Sequence, residues 1–162
     1  MANIFDHEAS IATSNIPGLR LFAVEKNGTD KSEPDDLDDV QYPGGWVQSS
    51  PQTVCGAEYG QHANFCEPHC GPSASAKSFA RNTWGYFSAV CFIHGRELVK
   101  ATGRPQGMLE SSWGGQTIES FSSLESSRAC GGSVAGDHYT AMIKPLLNFG
   151  IRGVIWYQVT RE

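Results

Sequence analysis

Apolar and polar positions along the chain form blocks that predict alternating strands and helices. Residues 19–24 are a short apolar run between turn residues, which is typical of a buried strand. Residues 84–102 have the three-and-four spacing of a helix, and Gly103 followed by Pro105 provides its stop signal. Residues 106–110 are again apolar and predict the next strand.

The predicted helix over residues 84–102 has one apolar stripe. The stripe is formed by Phe87, Val90, Cys91, His94 and Leu98. His94 therefore falls among buried positions, and a partly buried, hydrogen-bonded helix histidine is favoured there over a catalytic base.

The C-terminal third completes the alternating pattern. Asp137 can cap a helix that extends to Gly150, and Pro145 inside that run predicts a kink or a break. Residues 151–158 are rich in β-branched and aromatic side chains and predict a strand, and residues 46–48 predict a short edge strand. This order of elements is typical of right-handed βαβ units, and hence of an α/β fold with a parallel sheet.

The segment Leu109–Phe121 contains the most informative turn. The apolar run stops at two serines, Trp113 and the pair Gly114 and Gly115. Adjacent glycines permit positive φ and the close approach of another group, and a turn at the carboxyl end of a strand can aim N–H groups at an oxyanion. A plain turn is the commoner structure for such a pair, so the functional interpretation depends on its context.

The context is a set of blocks that occur in one order. They are Phe87–Cys91 with Gly95 and Arg96, then Pro105 and Gly107, then Ser111–Glu119, Ala141–Leu146 and Gly153–Gln158. This set resembles the sialate O-acetylesterase family of SGNH-type (GDSL-like) serine esterases, from about Leu19 to Gln158. The resemblance implies a three-layer α/β fold with a parallel SGNH-hydrolase-like sheet, incomplete at both ends. Residues 1–162 would form a single partial domain with an irregular insertion at about 49–81.

The resemblance also implies a reaction and a set of site residues. The family hydrolyses acetyl esters on sialic acid or related sugars through an acyl-enzyme, with no metal and no organic cofactor. It assigns the oxyanion donors to the backbone N–H groups of Gly114 and Gly115. Side chains that would contact an O-acetylated sugar or sialoside are Trp113, Gln116, Glu119 and Gln158. The family usually has Thr at the position of Gln116, and Glu119 is compatible either with a sugar hydroxyl or with an exposed surface position.

Other parts of the family's machinery are not matched. Its nucleophile lies in a Gly-Gln-Ser-Asn-Met motif that does not occur here, and Ser14 with Asn15 preserves only two of its letters. After Gln158 the family continues with Gly-Glu-x-Asn, where this chain reads Val159–Glu162, and the catalytic Asp and His would follow later. We therefore expect the isolated chain to have little esterase activity.

Three nearby side chains are alternative catalytic groups. No Gly-x-Ser-x-Gly elbow surrounds Ser111 or Ser112, which favours strand-end hydrogen bonding for both. His138 precedes the last predicted strand, out of the chain order that this fold requires of its base. A capping or exposed role is therefore favoured for His138.

Composition excludes several classes of partner. The 162 residues are 40% hydrophobic and 18% charged, and no apolar run is long enough to span a membrane. A net charge of −5 leaves no electrostatic footprint for nucleic acid and suits a neutral or sugar-like ligand better.

The positions of cysteine and histidine do not determine the cellular compartment of the protein. In His62–Cys70 the spacing matches no closed zinc site, so a disulfide or a plain insertion is favoured over a metal, and residues 34–39 favour a solvated acidic loop over a calcium site. The family is secreted or lysosomal, and the glycosylation sequon Asn27–Thr29 agrees with that route. The sequence shows no signal peptide after Met1, so the localisation of this chain is not assigned.

Two other interpretations compete with the esterase. A non-catalytic carbohydrate-binding or interaction protein would use Trp113, Trp156 and Tyr157 to stack on sugar faces. A prematurely ended gene product would fold poorly, because a parallel sheet that lacks strands exposes apolar edges.

Overall fold

The computed structural model describes residues 5–24, 45–55, 87–132 and 136–158. The described residues up to Glu110 form one compact unit, here called the first unit. Those from Ser111 onward form the second unit.

Several features of the sequence lie outside the described residues. These are the sequon, the acidic run at 34–39, the His62–Cys70 segment with most of the predicted insertion, and Val159–Glu162. The predictions of a single partial domain and of an insertion at about 49–81 therefore stay predictions. At its start, the predicted insertion contains a short helix, Pro51–Cys55.

The first unit contains a three-stranded sheet with strand β1, Leu19–Ala23, at its centre. Strand β2, Val47–Gln48, pairs antiparallel with one edge of β1, and strand β3, Gln106–Glu110, pairs parallel with the other. The α/β class and the parallel central pair are thus confirmed. The sheet is mixed, because β2 is antiparallel to β1 whereas β3 is parallel to it. An antiparallel neighbour can form without the crossover helix that a parallel neighbour needs.

The core of the first unit lies between this sheet and three helices. Helix α1 spans His7–Ala12, α2 spans Pro51–Cys55 and α3 spans Ala89–Thr102. Buried apolar side chains from the sheet, from the helices and from Phe87, two residues before α3, form one cluster. It consists of Ile11, Leu19, Leu21, Ala23, Val54, Phe87, Phe92 and Met108. Side chains of β1 are buried except that of Arg20, which confirms the predicted buried strand.

Helix α3 begins and ends where local chemistry dictates. The Ser88 hydroxyl accepts a hydrogen bond from the Cys91 N–H, which satisfies one of the free donors of the first turn. Gly103 takes φ of 63° and donates its N–H to Val99, which is the left-handed ending that glycine favours. The predicted stop is therefore confirmed.

The buried face of α3 differs from the predicted stripe. Phe92 and Gly95 are buried, whereas Val90 is 39% exposed and His94 is exposed. A side chain at Gly95 would collide with Met108 of β3, so the helix approaches the sheet through its smallest residue. The spacing of apolar residues indicates a helix, but the sheet surface decides which face turns inward.

The second unit is built from short helical turns. A 3-10 turn spans Ile118–Phe121, helix α4 spans Leu124–Ala129, a π turn spans Tyr139–Ile143 and a second 3-10 turn spans Lys144–Asn148. The single helix predicted from Asp137 to Gly150 is therefore wrong. The break at Pro145 is as predicted, because proline cannot donate the hydrogen bond that would continue a regular helix.

The strand predicted over residues 151–158 is also not formed. These residues have no assigned secondary structure, and Val154 is 80% and Tyr157 76% exposed. Strand propensity needs a neighbour to supply ladder hydrogen bonds, and no other described residue pairs with this segment as a strand.

Candidate functional site

The glycine turn, residues 113–116, follows β3 after two serines and is not helical. Gly114 and Gly115 form the bend, and Gly115 takes φ of 80°. A Cβ built on either glycine would meet nothing within 4 Å. In the part of the chain that the structure describes, neither N–H donates to a protein acceptor. The turn thus presents two exposed main-chain donors, as an oxyanion or anion site requires.

The end of the glycine turn is held by residues 156–158, which follow the second 3-10 turn. The side-chain amide of Gln158 donates to the Gln116 carbonyl at 3.1 Å, and the Trp156 indole N–H donates to the Gln158 side chain at 3.2 Å. Gln116 and Gln158, which were both predicted as site residues, are therefore brought together. Gln116 contributes its main-chain carbonyl to this contact, so the change from the family's Thr does not affect it.

The beginning of the glycine turn contacts an aromatic cluster, defined here as Trp113, Phe121, His138 and Trp156. The ring centroids of Trp113 and His138 are 4.8 Å apart in an edge-on arrangement, and those of Phe121 and His138 are 5.1 Å apart. Phe121 and Trp156 meet perpendicularly at 6.3 Å. Trp113 is thereby connected, through three rings and Gln158, to the other end of the same turn.

Main-chain contacts hold the two sides of this cluster together. Ser111 donates its hydroxyl to the Met142 carbonyl at 2.7 Å, which ties the approach to the turn to a fully buried residue of the π turn. Gly136 donates its N–H to Ser122 at 2.9 Å, and any side chain at Gly136 would collide with the carbonyl oxygen of Ser120. The Phe121 turn and the start of the His138 segment therefore touch through backbone.

Glu119 is an exposed carboxylate on the 3-10 turn. A hydrogen bond from the Thr117 side chain lowers the pKa of Glu119, so the group is ionised at neutral pH and can accept hydrogen bonds from a hydroxyl-bearing ligand. Its contacts are local, with Thr117 and its own backbone. Glu119 is therefore available to a ligand but is not joined to Gln116 and Gln158.

His138 is not the capping or exposed residue that the sequence predicts. It is 7% exposed, its side chain makes no cap hydrogen bond, and burial lowers its pKa against the opposing effect of the Asp137 carboxylate. The cause is the pair of aromatic rings of Trp113 and Phe121, which remove the imidazole from water. Neither His138 nor Phe121 was predicted as part of the site, because no periodicity or motif in the sequence indicates that the two rings meet.

The alternative nucleophiles are engaged in main-chain hydrogen bonds. Ser14 is fully buried and donates its hydroxyl to the Ile11 carbonyl at 2.6 Å. Ser111 donates to Met142, as predicted for a residue at a strand end. Both hydroxyls are therefore engaged with main-chain carbonyls.

Within residues 5–24, 45–55, 87–132 and 136–158, no group of three His, Cys, Asp or Glu side chains could hold a metal ion. Among the helices described, none is long and apolar enough to cross a bilayer.

Comparison with curated proteins gives matches over about half of the chain. It is 40% identical over 98 positions to a sialate O-acetylesterase of Pongo abelii and 39% identical over 98 positions to that of Homo sapiens. A sialate O-acetylesterase of Rattus norvegicus is 30% identical over 125 positions. Each match covers 52% of this chain, and covers 19%, 19% and 23% of the respective relatives. The matched part thus corresponds to about a fifth of their length.

A solved structure is similar over nearly the whole chain. A carbohydrate acetylesterase from Xanthomonas citri superposes with a TM-score of 0.63 and 26% sequence identity, covering 95% of this chain and 28% of that one. No protein-family model matches the chain. The resemblance and the incomplete SGNH-like α/β fold inferred from the sequence are confirmed by these similarities.

Proposed function

We propose that this chain, a sialate O-acetylesterase-like segment of the SGNH type, forms part of the active site of an esterase that removes O-acetyl groups from sialic acid or a related sugar. Its contribution would be the oxyanion-stabilising turn and part of the sugar-facing wall. The observation that carries the proposal is the geometry of Gly114 and Gly115. Their two amide donors are exposed, without a protein acceptor among the described residues, in a turn that is held at both ends.

The chemistry of ester hydrolysis explains why such a turn is useful. When a nucleophilic oxygen adds to the acetyl carbonyl carbon, the carbonyl oxygen becomes an oxyanion, and N–H donors that already point at it need no reorganisation. The sugar oxygen then leaves with a proton, and water releases acetate from the acyl-enzyme. Each oxyanion donor in such sites typically contributes about 2.7–4 kcal/mol of transition-state stabilisation. The nucleophile and the base would come from residues other than the described ones.

Side chains around the turn suit a carbohydrate. Trp156 is 55% and Tyr157 76% exposed, so both offer apolar faces to the C–H side of a sugar ring. The ionised Glu119 and the amide of Gln158 can hydrogen-bond sugar hydroxyls. Trp113, which precedes the two glycines, would place one aromatic wall beside the acetyl group.

A second candidate function is carbohydrate binding without hydrolysis. It is favoured by the exposed Trp156 and Tyr157 and by the engagement of the Ser111 hydroxyl with a main-chain carbonyl. The two functions differ in whether the acetyl group is recognised. An esterase turn contacts the acetyl carbonyl, whereas a sugar-binding surface depends on the ring and its hydroxyls.

The test is an amide NMR titration of the 162-residue chain with an O-acetylated methyl sialoside and with its de-O-acetylated form. We expect the Gly114 and Gly115 amides to shift with the acetylated ligand and to shift at least about fivefold less with the other at equal concentration, because only the acetylated ligand offers a carbonyl oxygen to these donors. Equal responses to both ligands would favour the binding protein, and an absence of response at the glycines would contradict the proposed site.

An activity measurement accompanies this titration. We expect little release of acetate from the acetylated sialoside or from nitrophenyl acetate by the 162-residue chain, since the family's nucleophile and base blocks are not matched. Turnover that is lost on treatment with a serine-directed inhibitor would show that this expectation is wrong, and would assign the chemistry to a serine present in the chain.

A further inference from the structure

His138 occupies an unusual position for a titratable residue. Its ring lies between Trp113 and Phe121, with centroid distances of 4.8 and 5.1 Å, and only 7% of the residue is exposed. Its Nδ1 atom is buried and has no hydrogen-bond partner among the residues that the structure describes. Buried polar atoms normally have partners, so this unpaired nitrogen calls for an explanation.

The protonation state of this ring has structural consequences. A neutral imidazole carries one N–H and one acceptor nitrogen, whereas the imidazolium carries two N–H donors and a charge. Burying that charge without a hydrogen-bond acceptor at Nδ1 is unfavourable, although attraction to the aromatic faces offsets part of the cost. The ring is thus accommodated best in its neutral form.

The backbone around His138 has little freedom to relieve such a change. Gly136, two residues earlier, donates its N–H to the Ser122 carbonyl, and a Cβ at this position would collide with the carbonyl oxygens of Glu119 and Ser120. The Phe121 side of the cluster is therefore fixed to the His138 segment by main chain. On the other side, hydrogen bonds hold Ser111 and Gln116, and Trp113 between them meets the imidazole by ring contact. A displacement of the imidazole therefore acts directly on Trp113 and on the two glycines, which lie between these two fixed points.

The charged and titratable groups on the surrounding elements are few. Besides His138, the described segments 111–123 and 136–158 carry Glu119, Asp137, Tyr139, Lys144, Arg152 and Tyr157. Burial is the larger influence on the imidazole and lowers its pKa, while the Asp137 carboxylate acts in the opposite direction. His138 is therefore neutral at pH 7 and gains its proton on acidification below its ordinary range near pH 6.5.

We propose that His138 is a positioning residue for the glycine turn: its neutral ring holds Trp113, and protonation of the ring displaces Trp113 together with the amides of Gly114 and Gly115. The inference rests on the proposed function only for its consequence, namely that the oxyanion donors are aligned at neutral pH and misaligned in acid. The coupling itself is a property of the chain without substrate.

The experiment follows the isolated chain by NMR between pH 8 and pH 5, with the His138 imidazole, the Trp113 indole N–H and the two glycine amides as reporters. We expect all of them to shift with one common midpoint below pH 6.5. In His138→Phe, which retains an aromatic ring but cannot be protonated, that transition should be lost from Trp113, Gly114 and Gly115. His94→Phe, at the exposed histidine of α3, is the matched control and should leave it unchanged.

The outcomes separate this inference from the proposed function. The positioning role is overturned if the imidazole titrates while the chemical shifts of the two glycine amides do not change. It is also overturned if the transition of these amides persists in both His138→Phe and His138→Leu. The wild-type titration alone decides the question should either variant fail to fold. A chain that shows the coupling but does not discriminate the acetylated sialoside would overturn the proposed function and leave the positioning role intact.

Discussion

The two glycines of the turn provide a matched pair for a stability test. Gly115 takes φ of 80°, whereas Gly114 is not among the positive-φ residues, and a Cβ on either would meet open space. Substitution by alanine therefore differs between the two sites in backbone conformation rather than in packing. For an L-residue the left-handed region costs about 1–2 kcal/mol. Both alanines also reduce the freedom of the unfolded chain, which favours folding by about 0.4–1 kcal/mol where the conformation is compatible.

The expected result is a difference between the variants rather than an absolute value. The unfolded-state effect is common to both and cancels, so Gly115→Ala should be less stable than Gly114→Ala by about 1–2 kcal/mol. In a chain of this length that corresponds to a melting temperature lower by roughly 2–8 °C. Gly115→Asn should lie between them, because asparagine tolerates this region better than alanine.

The assay is urea unfolding followed by fluorescence of the tryptophans, with thermal unfolding as a second measurement. Unchanged m-values across the three variants would show that the unfolding transition is the same. Equal stability of Gly114→Ala and Gly115→Ala would refute the positive φ of Gly115, and with it the geometry from which the donor directions are argued. Loss of all cooperative unfolding in the wild-type chain would instead favour the poorly folding gene product.

Three further predictions concern other parts of the chain. Phe92→Ala should lower the free energy of unfolding in urea by about 3–5 kcal/mol, because Phe92 is fully buried. Val90→Ala, on the outer face of α3, should lower it by less than about 1 kcal/mol. The reverse order would favour the buried stripe predicted from the sequence. Burial, with a smaller effect of the Glu110 charge, raises the pKa of Cys91 to about 12. Iodoacetamide at pH 8 should therefore modify the exposed Cys130 before Cys91, and faster modification of Cys91 would contradict its packing. The free energy of unfolding should fall as the pH drops below about 6.5, because the unfolded state binds a proton at His138 more readily than the folded state does. The fall should be smaller in His138→Phe, and a pH dependence unchanged by that substitution would contradict the buried neutral ring.

Local sequence features were sufficient for several elements. The apolar run before Glu25 and the segment Gln106–Glu110 are strands as predicted, because short runs of apolar residues between turn formers have few other ways to be buried. Gly103 ends α3, and the glycine pair turns the chain after β3. These features depend on the conformational preferences of individual residues, which a sequence displays directly.

Features that depend on contacts between distant residues could not be predicted in the same way. The apolar spacing of α3 indicated a helix but assigned Val90 and His94 to its buried face. The exposed residues 151–158 have strand-forming side chains but no partner strand among the described residues. The surface on which an element packs determines which face of a helix is buried and which strand finds a partner. Local propensity does not specify that surface.

The sequence by itself determined the α/β class, the family resemblance and the presence of a glycine turn after a strand, because these depend on residue types and their order along the chain. The tertiary structure alone decided that Gln158 closes the turn and that His138 is buried between Trp113 and Phe121. The physical reason is that a hydrogen bond or a ring contact between distant positions requires the intervening chain to fold back. Neither residue bears a local signal of the partner that it will meet.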